Sequence, residues 1–107
     1  MKVGMIQSNF IPWRGYFDFI DTVDLFIFYD DVNFGQGKKW RNRNKIKTKL
    51  GWQWLTVPLE SNKSNKIIEE VKINYNTQWV KEHYNKLYEN YHNSLYWKLY
   101  MSPLQKV

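Results

Sequence analysis

The stretch VGMIQSNFIPWRGYFDFIDTVDLFIFYDD, residues 3–31, decides the fold. It opens on a short apolar run, Val3 to Ile6, that meets a polar elbow, Gln7-Ser8-Asn9. An aromatic turn follows, in which Pro12 ends any helix begun earlier. From Gly15 to Val23 the apolar positions Tyr16, Phe17, Phe19, Ile20 and Val23 keep near-helical spacing, which predicts a two-turn helix. Leu25 to Tyr29 is a continuous apolar run bounded by acids, the pattern of an interior parallel strand covered on both faces. Strand, loop, helix, strand with acids at its tip is how open α/β sheets build ligand sites at their carboxyl ends. The expected fold class is therefore α/β, a small, open, mostly parallel sheet with flanking helices and a Rossmann-like N-terminal half.

Downstream, Asp30 to Lys39 reads as a loop around Gly35 and Gly37. Lys49-Leu50-Gly51 is turn chemistry between a loosely alternating Trp40–Thr48 stretch and a strand from Trp52 to Leu59. Trp52, Trp54, Thr56 and Pro58 share one face of that strand. Ile67, Glu69, Val71 and Ile73 alternate and predict a half-exposed strand. Asn76 or Thr77 is placed to cap a helix beginning near Trp79, and a second short helix or irregular tail starts from Ser94.

The chain has 107 residues, 43% of them hydrophobic and 19% aromatic, enough for one domain and one core. The rings exceed what such a core needs, so some are expected to line a groove or meet a partner surface, self-association included. The net charge of +6 is uneven, with seven basic residues and no acid from Lys38 to Lys49. Such a run attracts anions. The lack of cysteine excludes disulfides and thiolate chemistry and fits a reducing compartment. No run approaches membrane-spanning length, and the cytoplasm is the expected location.

Three constellations can carry chemistry. In the first, Gln7 to Tyr16 ends a strand in an amide and starts a helix whose free N–H groups suit an anion. Gln7, Trp13, Arg14 and Tyr16 are its candidate binding residues. In the second, Asp30 and Asp31 sit at a strand tip, pointing to opposite sides, so one faces the site as a general base, a partner for sugar hydroxyls or a holder of magnesium through water. These are the candidate catalytic residues. In the third, an extended Trp40-Arg41-Asn42-Arg43-Asn44 puts Trp40, Asn42 and Asn44 on one face and both guanidiniums on the other. One face suits a sugar or base edge and the other a phosphate. Asn33 and Gln36 add amides upstream. Gln7, Asp30 and Arg43 are expected to meet around one hollow. His83 and His92, nine apart, do not form a metal pair, no metal ligand set is present, and no cofactor is named by any motif.

These residues resemble the WbqC-like protein family. The resemblance rests on Met1-Lys2-Val3-Gly4-Met5-Ile6-Gln7, Phe10-x-Pro12-Trp13-x-Gly15-Tyr16-Phe17, Val23-Asp24-x-Phe26 and Tyr29-Asp30-Asp31-Val32-Asn33-Phe34. It continues through Trp40-x-Asn42-Arg43-Asn44-x-Ile46 and Trp54-Leu55-Thr56-Val57-Pro58. It implies a bacterial protein, with residues 1–107 a single domain that is the N-terminal half of a longer architecture. It also implies an acyl- or aminoacyl-transferase type of enzyme acting on a nucleotide-activated amino sugar in surface-polysaccharide (O-antigen) biosynthesis. The family's polar positions carry over as Gln7, Tyr16, Asp30, Asp31, Asn42, Arg43 and Asn44. Ser8 departs from a usual proline and Asn33 from a common glutamine. The expected partner is a nucleotide-sugar or another phosphorylated small molecule, with no membrane. Two other readings are an inactive remnant and a basic, aromatic nucleic-acid-binding module, against which the acids at Asp30-Asp31 argue.

Overall fold

Strand β1 (Val3–Ile6) and strand β2 (Leu25–Phe28) run parallel, with Val3 opposite Leu25 and Ile6 opposite Phe28. Helix α1 (Arg14–Thr22) makes the crossover that a parallel pair requires. The computed structural model describes residues 1–35, 40–61 and 65–105, the side chains of 104 and 105 excepted. Gln36, Gly37, Lys38 and Lys39, part of the basic run and its loop, lie outside the described residues.

α1 lies on one face of this pair because its own periodicity turns Tyr16 and Phe19 toward the strands. Tyr16 is buried, 5.8 Å edge-on from the Phe26 ring, and Phe19 stands 6.2 Å from Phe26. Gly4 makes the approach possible, since a Cβ there would lie 2.5 Å from the Phe19 ring. The other face differs from the expected interior strand. Val3, Met5, Leu25 and Ile27, paired across the two strands, remain 51%, 50%, 46% and 37% exposed. The apolar run marked a surface fit for burial, but among the described residues only α1 covers the pair, and only on one side.

A β-hairpin follows, β3 (Arg43–Thr48) antiparallel to β4 (Gly51–Thr56). Two residues, Lys49 and Leu50, make the turn, and Gly51 beyond it takes φ +102°, which a side chain would resist. Ile46, Thr48 and Leu55 are buried on one face, and Val57 continues it. Among the described residues the fold is thus mixed α/β, a small parallel sheet and an antiparallel pair with three α-helices.

Two expected elements are corrected. Ile67–Ile73 is not a strand but a single 3-10 turn at Ile68–Glu70, with isolated bridges from Ile67 to Asn33 and from Ile73 to Leu59. Its N–H groups are claimed by the Asp30–Phe34 loop instead of a ladder. Ile68 donates to the Val32 carbonyl at 2.9 Å and Glu69 to that of Asp30 at 3.0 Å. Helix α2 (Trp79–Tyr91) is entered through Gln78 rather than Asn76 or Thr77. The Asn74 side chain accepts the Asn76 N–H at 2.9 Å in a local turn, which delays the helix start. Helix α3 (Trp97–Gln105) runs through Pro103, whose missing N–H leaves the Leu99 carbonyl without a helical donor. No helix among the described residues is long and apolar enough to cross a membrane.

α2 is tied to the hairpin at both ends. Tyr91 donates to the Lys47 carbonyl, the Asn90 side chain accepts the Lys49 N–H at 2.9 Å, and His83 Nε2 lies 3.0 Å from the Thr56 carbonyl. His83 sits between Phe10 and Trp79. Burial holds its pKa below the ordinary value, with nearby Lys86 adding to the depression, while the Thr56 carbonyl and Glu82 work against it. The unfolded chain therefore binds more protons than the folded one between the two pKa values, so stability rises with pH there. The contribution is full above the unfolded value of 6.5 and is lost as pH falls through the lower folded value. Urea midpoints measured from pH 7.5 to 5 should fall on acidification, and His83→Gln should flatten that slope.

Candidate functional site

Because β1 and β2 are parallel, their carboxyl ends reach the same edge, and the elbow Gln7-Ser8-Asn9 meets Asp30 there. The Tyr29 N–H donates to the Ile6 carbonyl at 2.9 Å, continuing the ladder one step past the strands. The Ser8 N–H then donates to Asp30 Oδ1 at 2.8 Å, and the Ser8 hydroxyl donates to Asp30 Oδ2. A proline at position 8 would supply neither donor. Of the two adjacent acids, Asp30 is turned toward this edge and half-buried, while Asp31 is exposed.

Gln7 is held at two points. Tyr16 donates its hydroxyl to the Gln7 carbonyl at 3.1 Å, and Arg41 Nη2 donates to Gln7 Oε1 at 2.6 Å. Burial first, and then the negative charge of Asp30, push the Tyr16 pKa up, so the phenol stays a proton donor. Arg41 also donates through Nη1 to the carbonyl of buried Phe34 and lies 5.5 Å over the Phe34 ring. Its Nε is buried with no hydrogen-bond partner among the described residues.

The guanidinium that joins Gln7 is thus Arg41, not Arg43. The reason is local: Trp40 to Asn42 form a turn, so the alternation expected across residues 40–44 holds only from Arg43 onward. Arg43 opens β3 and lays its guanidinium 3.4 Å over the Trp54 ring. Arg41 shared its expected phosphate role with Arg43, and nothing in the sequence separated the two.

The asparagines are committed to the backbone. Asn42 exchanges with Val57, donating from Nδ2 at 3.1 Å and accepting from its N–H at 2.7 Å through its own carbonyl. Asn44 Nδ2 donates to the carbonyls of Phe10 and Ile11 at 3.2 and 2.5 Å. Those bonds, with Phe10 N–H to the Trp40 carbonyl at 3.0 Å, hold Ile11 at φ +46°, a left-handed conformation that β-branched residues resist. Asn33 turns its side chain onto the Gly35 N–H at 2.6 Å and pairs with Ile67, away from the elbow. Arg14 is 95% exposed, 3.9 Å from the Asp18 carboxylate.

Two hollows flank the elbow, and Asn9 lines both. The first, about 280 Å³, has Ser8, Arg41 and Asn42 as its polar wall and Phe34, Val57, Leu59, Ile68, Val71 and Ile73 as its apolar one. The second, about 460 Å³, lies between Trp13 and Trp40, with Pro12 and Asn44. Mostly apolar concavities with a few convergent polar groups are the usual form of a small-molecule site. Trp13, Trp40 and Asn44 therefore come together, Gln7 and Asp30 meet through Ser8 and Tyr16, and Arg14, Asn33 and Arg43 stand apart. Ser8 and Asn9 of the polar elbow, and Arg41 of the expected guanidinium pair, join the site beyond the candidate residues. Among the described residues no group of three or more His, Asp or Glu is placed to hold a metal ion.

Comparison with known proteins points the same way as the motifs. The uncharacterized protein Rv1507c of Mycobacterium tuberculosis is 50% identical over 91 residues, which is 84% of this chain and 38% of that protein. The chain thus spans well under half the length of the curated relative it matches. No solved structure matches it. The sequence profile of the WbqC-like protein family matches residues 7–107, from the elbow through all the later elements, and the chain belongs to the WbqC-like protein family.

Proposed function

We propose that the chain forms a site for a nucleotide-activated amino sugar and serves acyl or aminoacyl transfer onto the sugar amine in surface-polysaccharide assembly. The observation that carries this reading is the paired contact at the strand tips. Gln7–Arg41 and Ser8–Asp30 stand side by side, with Ser8 and Arg41 both lining one hollow. Among the described residues Arg41 keeps a buried Nε without a partner beside its two bonded nitrogens, a fixed positive group suited to a phosphate oxygen. Trp13 and Trp40 wall the neighbouring hollow with flat apolar surface, which suits a sugar ring or a base.

In this reading the sugar amine attacks the donor's carbonyl carbon, and a C–N bond forms as the donor's leaving group departs. The amine proton passes to the Ser8 hydroxyl as that hydroxyl gives its own proton to Asp30. Asp31, exposed at the same tip, stands outside that relay. Family membership supports the substrate class.

Titration calorimetry with UDP-glucosamine tests the proposal, with UDP and glucosamine alone as controls. Sub-millimolar binding is expected, with UDP weaker and glucosamine weaker still. Trp40→Ala should weaken it about tenfold, through lost ring contact rather than lost fold, because Trp40 is 54% exposed. No heat from any nucleotide or nucleotide-sugar at millimolar concentration would end this reading.

A further inference from the structure

The outer face of the hairpin is unlike the rest of the surface. β3 and β4 pair so that Lys45 faces Trp54 and Lys47 faces Trp52, with Arg43 opposite Thr56 one step on. Side chains two apart share a face, so these six form one surface, opposite buried Ile46, Thr48 and Leu55. None of the six is acidic. Trp52 is 70% exposed and Trp54 40%. The Arg43 guanidinium and the Lys45 ammonium lie 3.4 and 4.9 Å from the Trp54 ring centre. Trp40 continues the row, 5.6 Å from Trp54. α2 bonds to the hairpin through the carbonyls of Lys47 and Thr56 and the N–H of Lys49. Five of the six side chains stay exposed, while Arg43 is half-buried on Trp54 with its Nε buried.

We infer that this face binds single-stranded nucleic acid, on a surface that meets the second hollow only at Trp40. The three cations recur at every second residue, roughly 6.8 Å apart on an antiparallel strand. They run beside a row of indole plates, so the surface offers about one positive charge for each flat stacking partner. A polymer with one negative charge per flat ring matches that ratio, and an unpaired nucleotide strand is such a polymer. Duplex bases are stacked on one another and present no free ring face to these indoles. Of the two acids that argued against nucleic acid, Asp30 is bound to Ser8 through both carboxylate oxygens.

Fluorescence anisotropy of labelled 12-mers of dT and of U, against a 12-base-pair duplex and polyglutamate, tests the inference. Single strands should bind at least tenfold more tightly than either control at the same salt. Equal binding of dT and U means the shared backbone and ring chemistry is read, and a preference for U means that the 2′-hydroxyl is read as well. With three cations engaged, the log–log salt slope should be about −2. Lys47→Ala should make the slope shallower by about 0.7. Trp52→Ala should weaken binding at least fivefold at unchanged slope, with Trp52→Phe restoring most of it and circular dichroism unchanged in both. Neither Trp52 nor Lys47 lines a hollow, so UDP-glucosamine binding should be as in the parent, which separates this result from that of the sugar site. Duplex or polyglutamate binding as tight as dT, an acidic polysaccharide such as alginate binding more tightly, or no effect of Trp52→Ala would overturn it.

Discussion

Arg41→Ala is expected to destabilise the fold by about 2–3 kcal/mol and to abolish nucleotide-sugar binding together. One guanidinium donates to the Gln7 side chain and to the carbonyl of buried Phe34, so truncation leaves two acceptors without their donor. Bonds from a charged donor are worth about 1.5–3 kcal/mol each, and water entering the adjoining hollow recovers part of the loss. For a domain of this size that corresponds to a fall of roughly 10 °C or more in Tm. Arg41→Lys should recover less than half of it, since one ammonium cannot reproduce a planar fork that spans two acceptors. Urea titration and calorimetry on the same two variants check both effects. A stable Arg41→Ala that binds ligand normally would remove Arg41 from the site.

Leu55→Ala is the larger purely structural effect, with an expected loss of about 3 kcal/mol. Leu55 is 2% exposed, on the inner face of the hairpin with Ile46 and Val57. Its removal costs both the transfer free energy of the side chain and the space left behind. The urea midpoint should fall at unchanged slope, because the same surface is exposed on unfolding. An unfolding free energy within about 0.5 kcal/mol of the parent would mean that Leu55 is not at the centre of this core.

The βαβ unit was legible because three separate signals agreed: a continuous apolar run, an aromatic turn broken by Pro12, and helical spacing from Tyr16 to Val23. The hairpin announced itself through Lys49-Leu50-Gly51. Ile67–Ile73 misled because four alternating residues fit a strand, while the partners that decide its backbone bonds, Val32 and Asp30, lie more than thirty positions upstream. The site was half legible. Gln7 and Asp30 follow from strand ends alone, since parallel strands share their carboxyl edge. Arg41 could not be told from Arg43 without knowing that the chain turns at Trp40–Asn42, which fixes which of two alternating cations reaches the elbow. Asn42 and Asn44 read as ligand amides, but their donors go to carbonyls distant in sequence, those of Val57, Phe10 and Ile11, which the spacing could not reveal.

The missing side chain at Gly4 acts at a distance from where it sits. With no methyl between strand and ring, Phe19 settles directly on β1, and the axis of α1 is drawn in by that much. One turn back along the same helix is Tyr16, which pins the Gln7 carbonyl. The one hydrogen that stands in for a side chain on β1 therefore sets how near α1 brings that phenol to the elbow, and any larger group there would push Phe19, and the helix with it, away from the strands.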